Sequence, residues 1–173
     1  MTTTYADLVG AHLDDPTPAS LDALRAAVRT APGFDPDLRV RRQAERLLAA
    51  GHHDRAVQVV EASMPGSLFS PAAHSLLATA FERAGRRGDA SRHARLARAA
   101  LDSILGTGDG SRERPWSVLR ISDEYDVVDS LGTRPTSQTL VRDETRTIDL
   151  LTCADGRELH FDVSHVPRAV PGG

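Results

Sequence analysis

Ala44, Leu47, Gly51 and Ala56 recur as Ala78, Phe81, Gly85 and Ala90, a displacement of 34 residues in every case. A period of that length belongs to stacked helical hairpins: small residues stand where two antiparallel helices touch, larger apolar ones fill the seam, and a glycine frees the turn between them. One such hairpin cannot bury its apolar stripe alone, so the pattern commits the chain to stacking several of them. Helix signals support this on both sides of the repeat. Tyr5, Leu8, Val9 and Leu13 are spaced for one helix, which the Asp14-Asp15-Pro16 run breaks. Thr17 with Pro18 opens a second, striped by Leu21, Leu24 and Val28 and ended by Pro32-Gly33. A third is expected from Asp35-Pro36 to about Ala50, a fourth capped by Asp54, a fifth opened by Ser70-Pro71, and a sixth capped by Asp89 and running to Leu105.

The spacing, together with Leu77-Ala78, Phe81 and Ala90, resembles tetratricopeptide repeats over residues 37–104. Val40 and His74 stand where those repeats carry tryptophan, and the terminal proline is missing. The resemblance implies recognition of a peptide or protein along the face made by the first helix of each pair. Arg41, Glu45, Ser75, Thr79 and Glu82 are expected on that face. Arg86, Arg87, Arg92, Arg95 and Arg98 concentrate positive charge on the last long helix, but no aromatic residues interleave to stack bases.

After Gly106-Thr107-Gly108-Asp109-Gly110-Ser111 the periodicity changes, and residues 106–114 read as a linker. Trp116 to Ile121 reads as a strand, Ser122 as the cap of a short helix, Ser137–Val141 as a strand, and Thr147–Cys153 and Glu158–Ser164 as a hairpin around Asp155-Gly156. The whole is therefore expected to be α+β. A helical-hairpin array (1–105) precedes a small β-α-β-β-β module (115–165), with a disordered tail at 166–173.

Within this second part the ordered run of Ile104, Gly108-Asp109-Gly110, Pro115-Trp116, Val118, Glu124-Tyr125, Leu131-Gly132, Gln138, Leu140-Val141 and Phe161-Asp162-Val163 resembles a bacterial family known as domain-of-unknown-function family 4919, over residues 70–165. The resemblance implies a helical repeat region followed by a compact module, and it implies no activity. Relatives of that kind often carry an export or lipoprotein signal, to which the start Met1–Asp7 shows no likeness.

Candidate chemistry is sparse. If Asp155-Gly156 is a two-residue turn, Leu150 faces Phe161 and Ile148 faces Val163 on a buried side. Asp149, Leu151, Cys153, His160 and Asp162 then share the other side, with Cys153 diagonal to His160. That outlines a thiol nucleophile with His160 as base and Asp162 or Asp149 orienting it, the basis of an alternative reading as a small hydrolase or transferase. An open strand face offers no oxyanion donors, so the leading expectation remains non-enzymatic. His160, Asp162 and Asp149 are zinc-type ligands lacking a fourth partner, so no metal is expected, and no cofactor. The Gly106–Gly110 loop lacks the Gly-Lys-Ser/Thr ending of a nucleotide loop and is read as a hinge. Trp116 and Tyr125 are expected to anchor the module's core.

Composition narrows the class. A net charge of -3 gives no general attraction to nucleic acid or an anionic membrane, no segment reaches the roughly 18 apolar residues of a membrane span, and a lone Cys153 excludes an intramolecular disulfide. The resulting expectation is a cytoplasmic adaptor for a protein or peptide, with self-assembly through a repeat end or an edge strand as a further alternative.

Overall fold

The computed structural model describes residues 3–142 and 145–166 and divides into two compact units, 1–103 and 104–173. Among the described residues seven helices precede or interrupt a four-stranded mixed sheet, so the fold class is α+β.

In the first unit α1 (Tyr5–Asp14) and α2 (Pro18–Arg29) form one hairpin. Both begin where a threonine caps them. The Thr4 hydroxyl accepts from the Asp7 N–H at 3.2 Å and the Thr17 hydroxyl from the Ser20 N–H at 3.2 Å, each answered by the third helical residue's side chain. Then come α3 (Val40–Ala49), α4 (His53–Ala62), α5 (Pro71–Arg83) and α6 (Arg87–Leu105). Ser70 caps α5 with Pro71 at its first position, as its sequence predicts.

The repeat is visible as a repeated turn. Gly51 and Gly85 both adopt φ +77°. The amide after each, on His52 and Arg86, donates 2.8 Å back to Leu47 and Phe81, and the glycine amides donate to Leu48 at 3.2 Å and Glu82 at 3.0 Å. That is one and the same helix-ending motif, 34 residues apart, and glycine is there because a left-handed residue costs nothing without a Cβ. Packed against it, Ala44, Leu48, Ala56, Val57, Val60, Ala73, Leu77, Ala80 and Phe81 form the core of α3, α4 and α5.

Three helix starts in this unit differ from expectation. Helix α3 begins at Val40 because the Asp35 carboxylate is spent on a turn, accepting from the Asp37 and Arg39 amides at 3.1 and 2.8 Å, and Leu38 then takes φ +48° to bury its side chain. Asp54 and Asp89 lie within the first turns of α4 and α6, where a negative charge still favours the helix N-terminus, but neither is the cap.

The second unit holds β1 (Trp116–Ser117), α7 (Ile121–Ser130), β2 (Pro135–Arg142), β3 (Thr147–Cys153) and β4 (Glu158–Asp162), ordered β1-β4-β3-β2, with β1 parallel to β4 and the other pairs antiparallel. Helix α7 starts two residues earlier than expected, with Arg120 rather than Ser122 as its cap. Ser122 is inside it and buried, and the Asp123 carboxylate accepts from the Arg120 amide at 3.0 Å.

The segment read as a linker and hinge is instead folded into this unit. The Asp109 and Gly110 amides donate to the Arg114 carbonyl at 2.9 and 3.1 Å, the Trp116 indole donates to the Gly108 carbonyl at 3.1 Å, and the His160 amide donates to the Gly110 carbonyl at 3.0 Å. A loop whose backbone groups are satisfied this way is a structural edge of the sheet. Trp116 packs against Phe161 with ring centroids 5.6 Å apart. Of the expected tail, Val166 is buried and 167–173 lie outside the described residues.

Candidate functional site

The hairpin register decides which side chains meet. The Cys153 amide donates to the Arg157 carbonyl at 2.8 Å and the Gly156 amide to the Cys153 carbonyl at 3.0 Å. The loop is therefore three residues, Ala154-Asp155-Gly156, with Gly156 at φ +84° in the position that a three-residue hairpin reserves for a left-handed residue. Leu151 pairs with Leu159, Leu150 with His160, Asp149 with Phe161 and Ile148 with Asp162. The two-residue reading is off by one, and because side chains alternate, one residue of slip exchanges the faces of one strand against the other.

This separates the suspected catalytic set. Cys153 shares the inner face with Asp149, Leu151, Leu159 and Phe161 and is 3% exposed. His160 and Asp162 lie on the opposite face. The His160 ring sits 3.3 Å from the Gly110 carbonyl, and the Asp162 carboxylate accepts from the Ser164 amide at 2.9 Å, so neither addresses the thiol. Burial above all, with the nearby Asp155 carboxylate, pushes the Cys153 thiol up, the wrong direction for a nucleophile. The same register parts Asp149 from His160 and Asp162, and no group of three His, Cys, Asp or Glu side chains suited to a metal is found among the described residues.

What the inner face holds is a polar cluster that the sequence reading missed. Arg120 and Glu124 are fully buried, and Asp123 and Asp149 nearly so. The Gln138 amide joins helix to sheet: its NH2 donates to Asp149 at 3.0 Å and approaches Glu124 at 3.4 Å, while its carbonyl oxygen accepts from the Tyr125 hydroxyl at 3.0 Å. Ionised carboxylates only accept, which sets the amide's orientation. Burial first, then the charges of Glu124 and Asp149, push the Tyr125 phenol above its ordinary value. It therefore stays protonated and serves as a donor. Helical spacing held a signal for part of this, since Asp123 and Glu124 stand one turn before the buried Val127 and Val128 and so share their face. Trp116 is a core anchor as expected, whereas Tyr125 is half-buried and works through its hydroxyl.

In the first unit, the expected recognition residues all lie on α3 and α5. Glu45, Ser75 and Glu82 are exposed and Arg41 and Thr79 half-exposed. Arg41 donates to Glu45 at 3.0 Å along α3, and the Thr79 hydroxyl donates to the Ser75 carbonyl at 3.0 Å along α5. Arg86, just before α6, pairs with Asp89, and within α6 Arg98 pairs with Asp102 and Arg95 donates to the Ser91 hydroxyl.

A family model matches residues 40–169. The chain belongs to the family described as domain of unknown function (DUF4919). The DUF4919 match runs from the start of α3 through β4 and so takes in both recurring turns, the loop at 106–114 and the polar cluster, while α1 and α2 precede it. No curated protein and no solved structure matches the chain. Among the described residues no helix is long and apolar enough to cross a membrane.

Proposed function

We propose that this DUF4919 protein is a non-enzymatic cytoplasmic adaptor whose tetratricopeptide-like helices recognise a protein or peptide. The recurrence of one helix-ending turn at Gly51 and Gly85 carries this reading, because it sets the first helices of successive hairpins in equivalent places. Those helices present Arg41, Glu45, Ser75, Thr79 and Glu82, none of them buried, so substituting them costs little stability. Arg41 and Glu45 neutralise one another, which suits a ligand of mixed polarity better than one of a single charge. The hydrolase or transferase alternative loses its support with the separation of Cys153 from His160. Self-assembly keeps a specific observation in its favour: β2 is a terminal strand, largely exposed, with Arg142 as its sole charged residue, and such an edge is a template for pairing with another copy.

The experiment is a comparative pull-down from native cells with wild-type chain and a variant changed to alanine at Arg41, Glu45, Ser75, Thr79 and Glu82. A partner retained by the first and lost by the second, at unchanged circular dichroism, supports recognition through the helices. Equal retention by both rejects that surface. Capture of only the chain's own second copy transfers the proposal to self-assembly.

A further inference from the structure

Helix α6 is fastened to α5 by an unusual pair. The Nδ1 atoms of His74 on α5 and His93 on α6 lie 3.1 Å apart, their rings stacked with centroids 5.3 Å apart and planes 27° from parallel. His93 also stacks on Phe81 at 5.4 Å, and the Arg86 guanidinium lies over Phe81 at 4.3 Å from its centroid. His74 is 2% exposed and His93 half-buried.

Two Nδ1 atoms at that distance make a hydrogen bond only if one carries the proton and the other offers its lone pair. The neutral pair therefore consists of one Nδ1–H and one Nε2–H tautomer. A first proton taken up is opposed by burial and by Arg92, and a second would set two N–H groups facing each other. We propose that the His74–His93 contact is an acid-sensitive latch, in which two neutral imidazoles hold α6 on α5 and proton uptake by the pair releases it.

The charges around His93 agree in sum. Burial, then Arg92 beside it on α6, disfavour its cation more than Glu61 on α4 and Asp89 on α6 favour it, so its proton affinity is lowered. A histidine with a lowered folded value contributes stability that is fully present above its unfolded value near 6.5 and is lost as pH falls through the folded one. In the released state both rings are solvated and bind protons normally. Below about pH 6.5, release should then rise about tenfold per pH unit for each extra proton the open form binds. Independent of what the helices recognise, such a latch would alter the hairpin to which Ser75, Thr79 and Glu82 belong.

The test is amide hydrogen exchange of the full chain between pH 8 and 5.5, corrected for intrinsic rates, with the α3 and α4 amides as the internal reference. Opening of residues 92–100 should increase as pH falls while the reference changes far less, and His93→Phe, which keeps a stacking ring but cannot titrate, should reduce the pH dependence by the proton that His93 takes up. Opening of α6 that ignores pH, or that grows as much in His93→Phe, overturns the latch. If His93→Phe does not fold, 15N imidazole spectra of the wild-type chain decide. Opposite neutral tautomers at pH 7.5 support it, and two rings titrating independently at an ordinary histidine midpoint overturn it.

Discussion

Replacing Gly85 by alanine should destabilise the helical unit by about 1 kcal/mol, and the whole effect should come from the backbone. No atom lies within 4 Å of where the new Cβ would stand, so no steric clash contributes. What remains is φ +77°, a left-handed conformation that costs an L-residue about 1–2 kcal/mol. Stiffening of the unfolded chain returns about 0.4–1 kcal/mol. Gly51 has the same φ and the same open surroundings, so Gly51→Ala should cost the same amount. Gly10 is the control: it lies inside α1, also with nothing near its Cβ position, but its φ is not positive, so alanine there should stabilise by about 0.5–1 kcal/mol. Urea unfolding followed by far-ultraviolet circular dichroism resolves these effects, since at a slope of about 2 kcal/mol per molar a change of about 1 kcal/mol moves the midpoint by about 0.5 M. A Gly85→Ala protein as stable as wild type, or Gly51→Ala and Gly85→Ala differing by more than about 1 kcal/mol, would refute the argument that one turn is used twice.

Two further outcomes are expected. Cys153 should react with a thiol reagent far more slowly in the native chain than in urea, because the thiol is buried and its ionisation suppressed; native labelling at the rate of free cysteine would reopen the nucleophile reading. The Asp155 carboxyl, held at about 2 by the side-chain hydrogen bond from Arg157 and then by the Arg157 backbone amide, should titrate there by carbon-detected NMR. Being depressed when folded, it adds stability above the ordinary carboxylate value that is lost as pH falls through about 2, so Asp155→Asn should flatten that acid limb.

Much of the first unit could be read from local signals. Thr4, Thr17-Pro18 and Ser70-Pro71 mark helix starts through hydrogen bonds spanning three residues, and Gly51 and Gly85 mark stops for an equally local reason. Asp35 shows the limit of such signals: its carboxylate caps a turn or a helix with equal ease, and the burial of Leu38 chose the turn. In the second unit the turn at Asp155-Gly156 was legible but its length was not. A two-residue and a three-residue loop share that dipeptide, and they place Cys153 on opposite sides of the sheet relative to His160.

By itself, then, the amino-acid order determined the class of structure: which stretches coil, where they stop, where three of the four strands begin, and that one helix-ending turn recurs. These follow from contacts within a few residues and from the period of apolar side chains. The tertiary structure alone decided which polar groups meet. Gln138 reaching Asp149 and Glu124, and His74 meeting His93 across a hairpin, join residues far apart in the chain, and only the packing of a helix on a sheet or on another helix brings them within hydrogen-bond range.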